Sequence, residues 1–254
     1  MIESNPTKAE FKTLSHQNKI IVALDVETTT QARKIIEELG EVVGAFKIGN
    51  QLFTSGGLTF VHELVENGIR VFLDLKFHDI PSTVSRAGIE AARLGVWMFN
   101  VHASGGSEMM KRTVNDVGEF CFKSNLDVPR IIGVTVLTSS DTDTLREVGI
   151  GSEVDNQVAR LARLSAESGL HGVVASPNEI DVIRNAVDDP SFLIVTPGIR
   201  LLSATNDDQR RVMTPGEAIS KGSNYLVIGR PIVASHNPRF AAAGILEEMS
   251  AVPQ

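Results

Sequence analysis

One cysteine, Cys121, is all the chain contains. A single thiol forms no internal disulfide and no cysteine-based metal site, so it reads as a reduced, partly buried side chain. Long apolar runs are missing as well. No stretch approaches the roughly 20 residues of a membrane helix, and residues 1–19 are polar and mixed in charge, without the apolar core of a secretory signal. Positive charge is also short: 24 Lys and Arg stand against 31 Asp and Glu, for a formal net charge of -7. An acidic chain repels polyanions, which argues against nucleic acid as a partner while leaving room for a small anion in a locally basic pocket. Linkers and low-complexity tracts are absent. Together these absences predict a cytoplasmic protein that engages neither membrane nor nucleic acid.

A chain of 254 residues, 42% hydrophobic and 22% charged, suits one globular α/β barrel domain. Eight short apolar runs read as strands: Ile20–Asp25, Ala45–Gly49, Arg70–Lys76, Val96–His102, Ile131–Thr138, Gly172–Ser176, Leu193–Pro197 and Tyr225–Gly229. Amphipathic segments lie between them. The clearest runs from Glu153 to Ser168, with Ser152 and Asp155 suited to a capping box and Val154, Val158, Leu161 and Ala162 on one face. Gly169 supplies a left-handed cap, and Gly40, Gly68, Gly95 and Gly222 are expected to end other helices in that manner. Eight strand–helix alternations favour a closed (β/α)8 TIM barrel over an open doubly wound sheet. Residues 20–254 then form the single catalytic domain, and residues 1–19 a lead-in segment across the barrel bottom. The connection Ile199–Thr214 is long, polar and carries three arginines, which suits a lid.

Barrel enzymes place their chemistry at the carboxyl ends of the strands. Those ends carry the wrong residues for a bland core: Asp25, Lys47, Asp74 with Lys76, and Asn100 with His102, while Thr138 is expected to end strand five. Asp74 and Lys76 are two apart and share a strand face with Phe72. One such pair alone reads equally well as a solvated ion pair at the rim. Four charges at neighbouring strand ends do not, because buried charges must pair with each other or with a ligand. Asp79 follows in FHDIPSTV, where the plainer reading is a turn or cap residue ahead of Pro81. His78 reads as a loop histidine, because nothing around it has metal-ligand spacing; His62 and His16 read as surface or packing residues. At the other side, TPGIR and VIGRP bring Gly198, Arg200, Gly229 and Arg230 to the ends of strands seven and eight. Glycine opens the backbone to an anion and arginine offers a bidentate fork, the usual phosphate cradle of these barrels. Gln209 in the long connection adds an amide donor.

DLKFHDIPSTV resembles the signature of orotidine 5′-phosphate decarboxylases, and the resemblance covers nearly the whole chain after residue 19. ALD, FKIG, GVWMFNVHASGG, GVTVLTS, VTPGIR, DDQRRVMTP and VIGRPI follow in the family's order with no departure at a motif position. The resemblance implies a cofactor-free, metal-free decarboxylase acting on a small nucleotide as a homodimer with shared sites. It implies that Asp25 and Lys47 bind ribose hydroxyls, that Asp74 sits against the substrate carboxylate, and that Lys76 protonates C6 of the pyrimidine. It implies that Asp79, Ile80 and Thr83 reach into the partner subunit's site. Thr138 would contact the base and Pro197 wall it, while Arg200, Gln209, Gly229 and Arg230 hold the phosphate. Two other readings share strand three or the fold. Sister sugar-phosphate barrels keep Asp-x-Lys-x-x-Asp but use magnesium, and a non-catalytic nucleotide-binding barrel would require a damaged site.

Overall fold

Eight parallel strands pair side by side in chain order, and the last pairs with the first to close a barrel. The computed structural model describes residues 16–199 and 213–250. In chain order the elements are β1 (Ile20–Ala23), α1 (Thr29–Leu39), β2 (Ala45–Gly49), α2 (Asn50–Glu66), β3 (Val71–Phe77), α3 (Pro81–Arg93), β4 (Met98–His102), α4 (Gly106–Ser124), β5 (Arg130–Val134), α5 (Thr142–Glu147), α6 (Val154–Glu167), β6 (Gly172–Val174), α7 (Ile180–Ala186), β7 (Leu193–Pro197), α8 (Pro215–Ser220), β8 (Tyr225–Ile228), α9 (Arg230–Val233) and α10 (Pro238–Ser250).

Side-chain alternation along these strands builds two cores. Outward residues such as Val22, Phe46, Leu73, Phe99, Val173, Ile194 and Leu226 pack under the helices in the larger cluster. Inward residues, among them Ile21, Ala45, Phe72, Met98, Ile132, Val195 and Tyr225, fill the barrel itself. Strands covered on both faces must be apolar on both, which is why the runs are legible as continuous stretches. The inward rows are apolar below and change character above. Ala45 is followed by Lys47, Phe72 by Asp74 and Lys76, Met98 by Asn100 and His102, and Val227 by Gly229.

Strand and helix ends differ from the sequence reading in a few places, each with a local cause. β5 stops at Val134, so Thr138 lies in a turn beyond the strand rather than at its end. Its neighbour β6 ends at Val174, and after Thr135 has donated to the Val174 carbonyl β5 has no partner left on that side. The capping box expected at Ser152 is not formed. Ser152 Oγ donates to Gln157 Oε1 at 3.3 Å, and the helix starts from Glu153, whose carboxylate accepts from Thr142 and Arg146. Gly68, Gly95, Gly169 and Gly222 are left-handed as expected. Gly40 stays right-handed at φ -54°, because the chain winds on and the Val42 and Val43 N–H groups both return to the Leu39 carbonyl. Residues 200–212 of the long connection, with Arg200 and Gln209, lie outside the described residues, as do residues 1–15 and 251–254.

Candidate active site

β3 carries the decisive irregularity. Leu73 pairs with Phe99 and Phe77 with Val101, so four residues of β3 advance against two of β4. Two extra residues leave the in–out phase unchanged. Leu75 and Phe77 pack outward, and Asp74 and Lys76 face the mouth. Lys76 takes up the slack with φ 53°, a left-handed backbone that costs an L-residue about 1–2 kcal/mol. Such strain persists only where surrounding contacts over-determine it, and it concentrates at functional sites.

The charges of β2 and β3 meet that of Asp25 here, which lies two residues past the end of β1 at Ala23 rather than on the strand. Lys47 Nζ stands 3.2 Å from Asp25 Oδ1 and 3.2 Å from Asp74 Oδ2, and Lys76 Nζ lies 2.7 Å from Asp74 Oδ1. The alternation Asp25–Lys47–Asp74–Lys76 is neutral as a set. Lys47 and Asp74 are buried, whereas the Asp25 side chain is 57% exposed at the rim. Removing one partner from the buried pair would leave an uncompensated charge, a loss of about 3–5 kcal/mol. Small residues keep the array open. A Cβ at Gly49 would stand 3.2 Å from Lys47 Nζ, and one at Gly229 would stand 3.2 Å from Asp25 Oδ2.

The remaining sequence candidates surround this array at varying distance. Pro197 ends β7 half-buried, and Gly198 follows with φ 82°. Arg230 opens α9 exposed, with no ion pair to another described residue. Thr138 is exposed in its turn. Asp79 is not brought to Lys76 within this chain. Its Oδ1 accepts the Ile80 N–H at 2.6 Å, and it forms no ion pair with a described residue. Ile80, 64% exposed, and Thr83 at the first turn of α3 are also exposed on the single chain.

A barrel mouth lined by alternating lysines and carboxylates can hold charge fixed against a reacting centre in a site partly shielded from water. The sequence model of the Orotidine 5'-phosphate decarboxylase / HUMPS family matches residues 18–245. The chain belongs to this family. Among relatives, the orotidine 5'-phosphate decarboxylase of Syntrophotalea carbinolica is 53% identical over 92% of this chain and 96% of its own length. That of Moorella thermoacetica is 51% identical over 93% and 94%. The crystal structure of orotidine 5'-phosphate decarboxylase from Lactobacillus acidophilus superimposes with a TM-score of 0.79 at 36% identity, covering 91% of this chain and 99% of that one.

Of three polar groups at the mouth of this family member, Asn100 and His102 were noted at the end of strand four but given no role, and Glu179 escaped the sequence reading. Asn100 is wholly buried among apolar neighbours on β4, accepts the Lys76 N–H at 2.8 Å and donates to Asp74 Oδ1 at 2.7 Å. Its signal was an amide at an inward position between apolar Phe99 and Val101. His102, one inward step further, lies 5.4 Å ring to ring from His78. Burial, then the nearby His78 and Lys76, lower its pKa, against a smaller opposing pull from Asp74. Glu179 follows β6 in a Ser-x-x-Glu capping box, where its Oε2 accepts the Ser176 N–H at 2.9 Å. Burial raises its carboxyl to about 7. Among the described residues, no group of three histidine, cysteine, aspartate or glutamate side chains is placed to hold a metal ion. No described helix is long and apolar enough to cross a membrane.

Proposed function

We propose that this protein converts orotidine 5′-monophosphate to uridine 5′-monophosphate and carbon dioxide, the last step of de novo pyrimidine nucleotide synthesis. The Lys47–Asp74–Lys76 array carries this reading, in a barrel whose relatives at about half identity are named for that decarboxylation.

In this reaction the bond from C6 to the carboxylate breaks, the electron pair stays on C6 and carbon dioxide leaves. No adjacent group of the pyrimidine delocalises that pair, so the site must stabilise it by an amount on the order of 20 kcal/mol. Preorganised charge supplies this. The Lys76 ammonium, held by Asp74, faces the developing negative charge and then gives C6 its proton, to be replaced from solvent. Asp74 stands beside the departing carboxylate, an unfavourable neighbour that the loss of carbon dioxide relieves. Asp25 and Lys47 are assigned to the ribose hydroxyls, Thr138 and Pro197 to the base. Gly229 and Arg230 are assigned to the phosphate, together with Arg200 and Gln209, which lie outside the described residues. The exposure of Asp79, Ile80 and Thr83 supports a homodimer in which they complete the partner subunit's array. We place the protein in the cytoplasm, as befits an enzyme of nucleotide synthesis with relatives named for that step.

The sister reading, a sugar-phosphate barrel that works through a divalent ion, is served less well. Asp74 already accepts from two ammonium groups and an amide, which an ion would have to displace. The non-catalytic reading needs a damaged site, and the array is intact. The deciding experiment incubates the purified protein with orotidine 5′-monophosphate and excess chelator. Formation of uridine 5′-monophosphate supports the proposal. Failure to form it, or activity that returns only with added magnesium, overturns it.

A further inference from the structure

We infer that Asn100 is a positioning residue for the Lys76 ammonium: its one amide fixes both the Asp74 carboxylate and the left-handed backbone that aims Lys76. The inference rests on the decarboxylase reading for its kinetic consequence, while its geometry stands apart from it. A wholly buried amide is costly unless its groups are paired. Here both ends are paired, and the pairing fixes which end is which. A backbone N–H only donates, so Oδ1 must face Lys76. A carboxylate only accepts, so Nδ2 must face Asp74.

The two bonds act on opposite sides of one ion pair. At the bulge the Lys76 N–H has left the strand ladder, and Asn100 Oδ1 replaces the carbonyl it would have met. That bond holds φ at 53°, a conformation a lysine abandons when nothing compels it. Asn100 Nδ2 meanwhile pins the same Asp74 oxygen that receives the Lys76 ammonium. The carboxylate therefore presents Oδ1 to Lys76 and Oδ2 to Lys47 rather than rotating between them. Asn100 acts entirely through these neighbours, without itself moving a proton. The charged and titratable groups around it are Asp74 and Lys76 on β3, Lys47 on β2 and His102 on its own strand.

Asn100→Ala removes both bonds. A misplaced proton donor costs about 100-fold, so kcat should fall by about that factor. KM should stay within about threefold, since Asn100 holds no substrate group. Ser165→Ala, which removes another wholly buried side-chain hydrogen bond far along the chain on α6, controls for a general loss of packing and should leave both constants unchanged. Asn100→Asp is the sharper variant. Ionised, the new carboxylate repels Asp74 and donates nothing; protonated, its O–H and carbonyl reproduce the amide. Its kcat relative to wild type should therefore climb as pH falls from about 8 to about 5. A kcat for Asn100→Ala within threefold of wild type, or a flat ratio for Asn100→Asp, overturns the inference. A wild-type protein that does not decarboxylate the substrate refutes the functional reading alone. The positioning role is then decided by a crystal structure of Asn100→Ala, in which residue 76 should return to the extended region; a retained left-handed φ overturns it.

Discussion

At the bottom of the barrel Trp97 and Tyr225 meet edge to face at 5.2 Å, and the guanidinium groups of Arg70 and Arg130 lie 5.6 and 5.1 Å from the Trp97 ring centre. Arg70 also donates to Asn18 at 2.7 Å. Each cation there rests on an aromatic face, an arrangement that adds stability. At the top, the same inward rows end in lysines, carboxylates and an amide, with one backbone residue in a disfavoured conformation. One end of the cylinder is optimised for holding together. The other keeps charge, strain and exposed loops that a purely structural protein would discard.

Four substitutions test that division, from the largest expected effect to the smallest. Lys76→Ala should lower turnover by more than the 100- to 10,000-fold typical of general acid catalysis, since charge stabilisation is lost as well. Circular dichroism and the melting temperature should remain near wild type. Substantial activity in a folded Lys76→Ala protein would remove the chemistry from the top of the barrel. Next, inactive Asp79→Ala mixed with inactive Lys76→Ala should recover roughly a quarter of wild-type activity, from the half of dimers that are mixed and carry one intact site. Mixed dimers that form yet stay inactive would mean that each chain's site is self-contained.

Trp97→Ala probes the other end. Truncating a large packed aromatic costs about 3 kcal/mol, read as a drop of several degrees in melting temperature. Turnover per folded molecule should not change; a selective loss of kcat would show that the two ends are coupled. The smallest effect belongs to Glu179. Its folded pKa is raised to about 7 from an ordinary 4.5, so the folded state holds a proton that the unfolded chain has released. Stability is then greatest below pH 4.5 as far as this group is concerned, and falls by about 2–3 kcal/mol as pH rises to about 7. Glu179→Gln keeps an acceptor for the Ser176 N–H without the charge. It should raise the melting temperature at pH 8 by several degrees and flatten its dependence on pH, and parallel melting curves against pH for both proteins would contradict the assignment.

The barrel was legible because its strands are covered on both sides and therefore read as unbroken apolar runs, such as IIVA and LIVT. The array was legible for the complementary reason: Lys47, Asp74 and Lys76 interrupt inward rows that are apolar below them. What stayed hidden depends on partners far apart in sequence. β5 ends early because β6 is short, and nothing within the segment from Ile131 to Thr138 announces this. The left-handed Lys76 could not be foreseen from a residue type that almost always avoids that region. Asn100 was visible as an anomaly in MFNVH, but its two bonds reach residues on another strand. Gly40 shows the opposite limit, a glycine at a helix end whose freedom the chain does not use.

Barrel closure also bears on how the chain comes into being. β1 finds its second neighbour in β8, with Ile20 beside Leu226, about 200 residues later. At roughly 5–20 residues per second, a ribosome takes on the order of 10–40 s to deliver that partner. Throughout this interval the first strand to emerge has one bare edge, and the nascent sheet can curl but not seal. Mutations that lengthen the wait or loosen β8 should thus show themselves first as lost yield and aggregation during synthesis, before any change appears in the finished enzyme.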